Sequence, residues 1–551
     1  MKKDVFTYII GGKAGQGTKK AGIVAANFFA DKKREVFQMN DYPSLIRGGH
    51  NFSVVSTSTE KIFSHYMKAD LVVALDERSY HIHKDHVNKN GLMVFNSDKI
   101  KGKGIGISIS SESKKYDNSN QIEGVSGISI IVSMLGSNKE KLDEVIEKEY
   151  SRNLKDNKNF AHAIFDVADK KIRDKLDLRE GKEKKVSLSG SEAIGLGAAA
   201  SGLDIYFAYP MTPSTPVLHF FANNGKKIGV TSVQPENEIA VANMAIGASV
   251  TGARSMVGTS GGGFCLMQEA FSLAGMSECP VLFYLGQRPG PSTGVPTYTA
   301  QADLMMALNP GQGEFPRIVA SPGSIEESFY LTSELMDLIW RFQTPGILLS
   351  EKHLGESSMT VNLNLNRVKW AKPKKSKSNK YKRYKITKTG ISPLLFPPSN
   401  QLIKWNSYEH DEEGITTEDA DEISKMHLKR LNKLHSLVDY LKEKVKTVNV
   451  FGRGSPCVFT FGSTTMSVLE ALDYGNIKAT VVQPIYLQPF PTWEIEKYKN
   501  KKIVVVEQNS TGQLEQLLKD KCGIEHVLSI RQFNGRPFDP INLSKKLEEA
   551  K

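Results

Sequence analysis

Three groups of residues have types and spacings that suit chemistry. Glu238 opens a helix of small residues: Gln234-Pro-Glu-Asn-Glu238 runs straight into Ile-Ala-Val-Ala-Asn-Met-Ala-Ile-Gly-Ala. A carboxylate there is either a charge favoured by the helix dipole or a group aimed at a ligand, with Glu236 as the second candidate. The octapeptide Tyr209-Pro-Met-Thr-Pro-Ser-Thr-Pro216 has three prolines. They hold the backbone extended, so that the hydroxyls of Thr212, Ser214 and Thr215 are pre-set to donate to a carboxylate or phosphate. A merely stiff loop has the same composition. Arg288 is the one arginine of the Gly/Pro-rich loop Gly286–Thr297. Its planar fork suits a carboxylate, and a surface loop would also accommodate it.

The elements that must position these groups can be read from the pattern. Ile205–Ala208, Ser255–Gly258 and Val281–Gly286 are short apolar runs that read as buried strands. Ser191–Ala200 and Glu238–Val250 read as helices whose Ala and Gly content suits close packing. Before them, Val5–Ile10 reads as a strand, Gly11–Gly17 as a glycine-rich turn and Lys20–Ala30 as a helix. Strand-like runs follow at Asn51–Ser56, Leu71–Leu75 and Leu92–Asn96. Alternation of this kind predicts a parallel α/β sheet. The turn is spaced GGxxGxG rather than GxGxxG, so a phosphate site and a plain structural turn both remain open. Asp169–Lys185 reads as a charged surface helix leading to a linker. Asp421–Val445 is an amphipathic helix, and Cys457–Phe461, Lys478–Val482 and Lys502–Val506 are strands of a last α/β unit.

The expected organisation is four regions: 1–185, 186–356, 357–450 and 451–551. The chain has 551 residues, 24% charged and 40% hydrophobic, which excludes a mainly disordered or fibrous protein. No run of roughly 20 apolar residues is present, so no transmembrane helix is expected. The four cysteines (Cys265, Cys279, Cys457, Cys522) are far apart and lack a CxxC pair. That excludes a disulfide framework, a zinc site or an iron–sulfur cluster held by this chain, and the expected location is cytoplasmic. Net charge is +12, from 72 basic and 60 acidic residues. Between Arg367 and Lys388 lie eleven Lys and Arg and no acid. A solvated linker is the favoured reading of that run, and docking of an acidic partner the second. No nucleic-acid motif frames it.

The order helix, strand, Thr259-Ser-Gly-Gly-Gly263 after Glu238 resembles the pyrimidine-binding domain of thiamine diphosphate enzymes. Over nearly the whole chain the sequence resembles the 2-oxoacid:ferredoxin oxidoreductase family, in the form with γ and α parts fused in one α subunit. Gly11–Gly17 and Tyr42-Pro-Ser-Leu-Ile-Arg-Gly-Gly-His-Asn51 look like the γ part. Tyr209–Pro213, Glu238, Thr259–Gly263 and Gly286–Thr297 look like the pyrimidine-domain signatures. Glu409-His-Asp-Glu-Glu-Gly414 resembles the family's linker motif. Phe461-Gly-Ser-Thr-Thr465 and Val506–Gln513 resemble its transketolase-like C-terminal domain.

The resemblance implies a multidomain α/β fold: a Rossmann-like γ domain, a thiamine diphosphate pyrimidine-binding domain and a transketolase C-terminal-like domain. It implies that Glu238 hydrogen-bonds N1′ of the aminopyrimidine and that Thr212 and Arg288 hold the substrate carboxylate. Tyr209, Pro210, Ser214, Thr259, Ser260, Ser292 and Thr293 are further possible contacts, and no metal ligand is expected in this chain. Thiamine diphosphate would be shared with a β subunit bearing Mg2+ and a [4Fe–4S] cluster, in an αβ or (αβ)2 assembly. Coenzyme A would be co-substrate and ferredoxin the electron acceptor, with no nucleic-acid or membrane partner. The alternatives are a subunit of another thiamine-dependent oxidoreductase, such as an indolepyruvate:ferredoxin oxidoreductase, and a non-catalytic nucleotide-binding scaffold.

Overall fold

The structure, a computed structural model, describes residues 3–45 and 48–551. Ile46 and Arg47 of the Tyr42–Asn51 motif lie outside the described residues. Among the described residues the strands form three sheets. The chain is α/β throughout.

The first sheet runs in the order Ile105–Ile107, Val87–Asn96, Ala69–Ala74, Phe6–Gly12, Asn51–Ser58, Glu35–Asp41, Ser358–Val361, Val186–Ser189. It is mixed, not parallel as expected. Asn51–Ser58 pairs antiparallel with both Phe6–Gly12 and Glu35–Asp41. The connection 42–50 is shorter than the roughly dozen residues that a parallel crossover needs. The last two strands come from beyond residue 185: Ser358 lies opposite Gln38, and Ser358–Val361 in turn pairs with Val186–Ser189. The expected helix Asp169–Lys185 is also revised. Leu154–Ile172 is helical, after which the chain turns back and spends its amides elsewhere, Leu176 on the Met134 carbonyl and Gly181 on that of Lys32.

The second sheet has the order Tyr486–Gln488, Ile318–Ala320, Gly346–Glu351, Val281–Gln287, Ser255–Ser260, Ile205–Ala208, Thr231–Val233. Every pairing in it is parallel except that of Tyr486–Gln488, which reaches over from the C-terminal unit. Val281 to Leu285 are fully buried, as a strand covered on both faces must be. Parallel strands put all their carboxyl ends on one edge, which is where such sheets bind ligands. The third sheet is built from Val448–Phe451, Thr480–Pro484, Cys457–Phe459, Ile503–Glu507 and Val527–Arg531.

The basic run is not solvated along its length. Arg383 and Tyr384 are buried, and Arg383 stacks 3.8 Å from the Trp405 ring centre. Its Nη2 donates to the carbonyls of Ser277 (3.1 Å) and Glu278 (2.9 Å). The helix Ala420–Lys444 docks beside it. There Lys429 Nζ lies 2.6 and 2.8 Å from the Glu278 carboxylate oxygens, and Lys433 pairs with the same group. Burial alone would raise the Glu278 carboxyl, yet Lys429, Lys433 and Arg383 hold it well below the carboxylate range.

Glu278→Ala would strand two buried ammonium groups, and breaking such a pair typically costs about 3–5 kcal/mol. Denaturant unfolding of the chain is expected to show a loss of that size. A depressed carboxyl stabilises above its unfolded pKa, so the contribution is expected to fade as pH drops below about 4. A variant as stable as the parent at neutral pH would show that this cluster does not hold the helix.

Candidate active site

The site assembles at the carboxyl edge of the second sheet. Asn237 caps the helix Glu238–Val250, its side chain accepting from the Ala240 amide at 3.0 Å. That cap sets the helical phase. Glu238, Val241, Ala242 and Ala245 turn inward, while Ile239 and Met244 are left exposed. Glu238 is only 4% exposed, and its Oε1 is buried without a hydrogen-bond partner. It lies against Gly263, where an added β-carbon would stand 2.7 Å from Glu238 Oε1 and 2.2 Å from Thr259 Oγ1. The close approach requires glycine at 263. Glu236, the rival candidate, is exposed.

The neighbouring strand ends complete the cleft. Thr259 and Ser260 are fully buried, with Thr259 Oγ1 4.0 Å from the Met211 sulfur and Ser260 Oγ unpaired. The octapeptide leaves the strand Ile205–Ala208 and enters the helix Thr215–Ile228. Its Ser214 hydroxyl is spent internally, donating to the Met211 carbonyl at 2.8 Å. Arg288 follows the strand Val281–Gln287 and its Nη1 donates to the Thr212 carbonyl at 2.8 Å. The structure thus brings Thr212, Glu238, Thr259, Ser260 and Arg288 to one edge. Tyr209 and Pro210 are exposed beside them, and Ser292 and Thr293 are exposed on the loop after Arg288.

Two residues of the site escape the sequence reading. Asp303 has its carboxyl pushed up to about 6 by burial, with Arg288 offsetting part of the rise. Glu351 ends the strand beside Val281–Gln287. Burial pushes it up to about 7, although Ser463 and Gln301 hydrogen-bond it. The available hint for Asp303 was a lone acid opening the apolar stretch Leu304–Leu308. In the Gly11–Gly17 turn, Gly15 and Gly17 line a cavity together with Lys19 and Lys20, and Gln16 is tied within the protein. Gln16 accepts from the Lys13 amide at 2.5 Å and donates to Glu123 at 2.5 Å.

A parallel sheet that carries a buried, unpartnered carboxylate at its carboxyl edge is arranged to take a ligand there. Residues 196–429 match the family model described as pyruvate flavodoxin/ferredoxin oxidoreductase, thiamine diphosphate binding. Residues 7–167 match pyruvate ferredoxin/flavodoxin oxidoreductase. The chain is 29% identical to the 2-oxoacid:ferredoxin oxidoreductase subunit alpha of Sulfolobus sp, covering 99% of this chain and 96% of that one. It is 31% identical to the 2-oxoglutarate synthase subunit KorA of Archaeoglobus fulgidus, over 66% of this chain and 97% of that one. The solved 2-oxoglutarate:ferredoxin oxidoreductase from Magnetococcus marinus, with 2-oxoglutarate, coenzyme A and succinyl-CoA bound, superposes with a TM-score of 0.89. That match has 28% identity and covers 100% of both chains. This chain belongs to the 2-oxoacid:ferredoxin oxidoreductase family and matches its α subunits along their length. Among the described residues no helix is long and apolar enough to cross a membrane.

Gly263→Ala is expected to push Glu238 and Thr259 apart. A displacement of about 1 Å at a reacting group can cost ~100-fold, and steady-state oxoacid turnover by the assembled enzyme should fall by about that factor. Unchanged turnover would mean that Glu238 does not need its place against Gly263.

Proposed function

We propose that this chain is the α subunit of an enzyme that oxidatively decarboxylates a 2-oxoacid with coenzyme A, giving acyl-CoA, carbon dioxide and reduced ferredoxin. The observation that carries this reading is Glu238 Oε1, buried and unpaired at the sheet's carboxyl edge. A buried carboxylate oxygen left without a donor is costly, and a ring nitrogen that shares a proton with it relieves that cost. The residues therefore fit thiamine diphosphate. Glu238 would meet N1′ of the aminopyrimidine, with Thr259 and the Gly261–Gly263 turn beside it. Bound there, the cofactor supplies a carbon nucleophile and an electron sink for the decarboxylation.

The chain's own residues do the positioning. Arg288 keeps one N–H on the Thr212 carbonyl, which fixes the guanidinium plane and leaves other donors for the substrate carboxylate. The Thr212 hydroxyl adds a neutral donor to the same oxygen atoms. Mg2+ and a [4Fe–4S] cluster are assigned to a β subunit. In support, the four cysteines here are free thiols, three of them buried and Cys265 exposed. Ile239, Met244, Leu266 and Val295 are exposed on the very elements that carry the site. A β subunit covering them would also close the cleft to water, in an αβ or (αβ)2 assembly.

Glu238→Gln is expected to lower turnover of the assembled enzyme by ~100- to 10,000-fold, the usual worth of acid–base assistance. Glu236→Gln should keep parental rates. The reverse outcome would move the proton-sharing role to Glu236. Arg288→Lys keeps charge but loses the fork, so the Michaelis constants for pyruvate and 2-oxoglutarate are both expected to rise. A rise for one oxoacid alone would make Arg288 a side-chain selector.

A further inference from the structure

The loop that carries Arg288 is closed at its base. Gln287 is the last residue of the strand Val281–Gln287, and its Oε1 accepts from the Asp303 amide at 3.0 Å. Residues 288–302 therefore leave the sheet and return to the same point. On the neighbouring strand, Gly346–Glu351, the terminal Glu351 lies opposite Gln287 in register. Its side chain stands where the two limbs of the loop meet.

Glu351 holds both the loop and the unit beyond it. Its Oε1 accepts from Gln301 Nε2 on the returning limb at 3.4 Å. The same oxygen accepts from the backbone amide of Ser463, the residue before the helix Thr464–Tyr474 of the C-terminal unit. The fit is close. A β-carbon on Gly462 would stand 2.9 Å from each carboxylate oxygen and 2.6 Å from Gln301 Nε2, and φ there is +57°. Space and backbone both call for glycine at 462.

The carboxyl group is not held for its charge. Glu351 is fully buried, and a buried charge is kept where a cation pairs with it. Among the described residues no basic group is bonded to it, and the adjacent Lys352 spends its ammonium on the Asn40 carbonyl at 2.5 Å. Oε2 is buried without a partner, so one oxygen makes all the bonds. What the side chain supplies is reach: strand end, loop and C-terminal unit converge on a single acceptor atom.

We propose that Glu351 is a positioning residue for the oxoacid, fastening the base of the Arg288 loop to the C-terminal unit so that the guanidinium is in place before the substrate carboxylate arrives. This rests on the reading of Arg288 as the carboxylate holder. Glu351 itself touches no substrate atom; it acts through Gln301 and the loop. Ordering the loop during folding spares that cost at each binding event.

The test uses the α chain assembled with its β subunit, with pyruvate and 2-oxoglutarate as substrates. Glu351→Asp keeps the charge and shortens the reach by one methylene. Both Michaelis constants are expected to rise by roughly tenfold, the worth of one hydrogen bond to a charged group, with kcat close to parental. Glu351→Gln removes the charge and keeps an oxygen at the same reach, so parental constants are expected. In an Arg288→Lys background, Glu351→Asp should add nothing further, because the fork it positions is already gone. Raised constants in the Gln variant, or parental ones in the Asp variant, would overturn the proposal. So would penalties that multiply in the double variant, or a loss confined to kcat, which marks a smaller active fraction of enzyme. If Arg288→Lys leaves both Michaelis constants unchanged, it is the carboxylate reading of Arg288 that fails. If Arg288→Lys raises them while Glu351→Asp does not, only the positioning role fails.

Discussion

The site depends on one buried amide, that of Gln301. Its Oε1 accepts from the Gln508 amide at 3.0 Å and from the Thr464 hydroxyl at 2.8 Å, and its Nε2 donates to the Phe461 carbonyl at 2.7 Å. Its backbone N–H reaches the Gln508 carbonyl at 2.7 Å, and its own carbonyl accepts from Asn509 at 3.1 Å. Every one of these partners belongs to the C-terminal unit. The loop that carries Arg288 is thus held at one end by the parallel sheet and at the other by a different sheet. Thr299 adds a further tie through the Gly535 carbonyl. A neutral amide suits this post. It offers two donors and an acceptor with two lone pairs, and it avoids the desolvation of a charge.

That arrangement explains why a unit contributing no candidate site residue matters to the site. Loops without such ties sample many conformations, and ordering each residue costs roughly 1–2 kcal/mol. Here the ordering is done once, during folding, by the contact between units. The stability so gained is partly given up at the carboxyl edge. Glu238 Oε1, Ser260 Oγ and Gln287 Nε2 are all buried without partners, each at a cost of about 1–3 kcal/mol. Unsatisfied groups of this kind concentrate where a ligand supplies the missing partners. These three lie on adjacent elements at one sheet edge, while other buried polar atoms without partners are spread through the fold.

Local patterns were legible in the sequence where local physics decides. Ile205–Ala208 and Glu238–Val250 have the bounds that their composition suggests, because an apolar run between turns and an Asn-capped helix need no distant help. Thr212, Glu238 and Arg288 stood out as candidates by residue type and spacing, and the structure sets them along one sheet edge. What escaped depends on contacts far along the chain. Val186–Ser189 and Ser358–Val361 join the first sheet by pairing across the molecule, and such short strands carry no periodicity of their own. Gln301 and Asp303 sit in an irregular stretch, and Gln301 acquires its role only when Phe461, Thr464 and Gln508 arrive. Arg383 read as one more solvated cation in a basic run. Its burial is set by Trp405 and by the carbonyls of Ser277 and Glu278.

The same geometry decides what the basic run can do. Arg254 Nε donates to the Ala371 carbonyl at 3.1 Å, and Arg254 immediately precedes the strand Ser255–Ser260. Arg383 is fastened to Ser277 and Glu278, just before the strand Val281–Gln287. The run therefore follows the amino edge of the sheet, whereas Glu238, Arg288 and Asp303 stand at the carboxyl edge. Six residues of strand at ~3.3 Å each separate the two edges by about 20 Å. That separation exceeds the Debye length of ~8 Å at physiological ionic strength. Lys374, Lys375 and Lys377 are exposed and contribute to the field of the whole protein. Anchored at Arg383 and Tyr384, the run works as a strap across the back of the domain, its exposed lysines keeping that back in water.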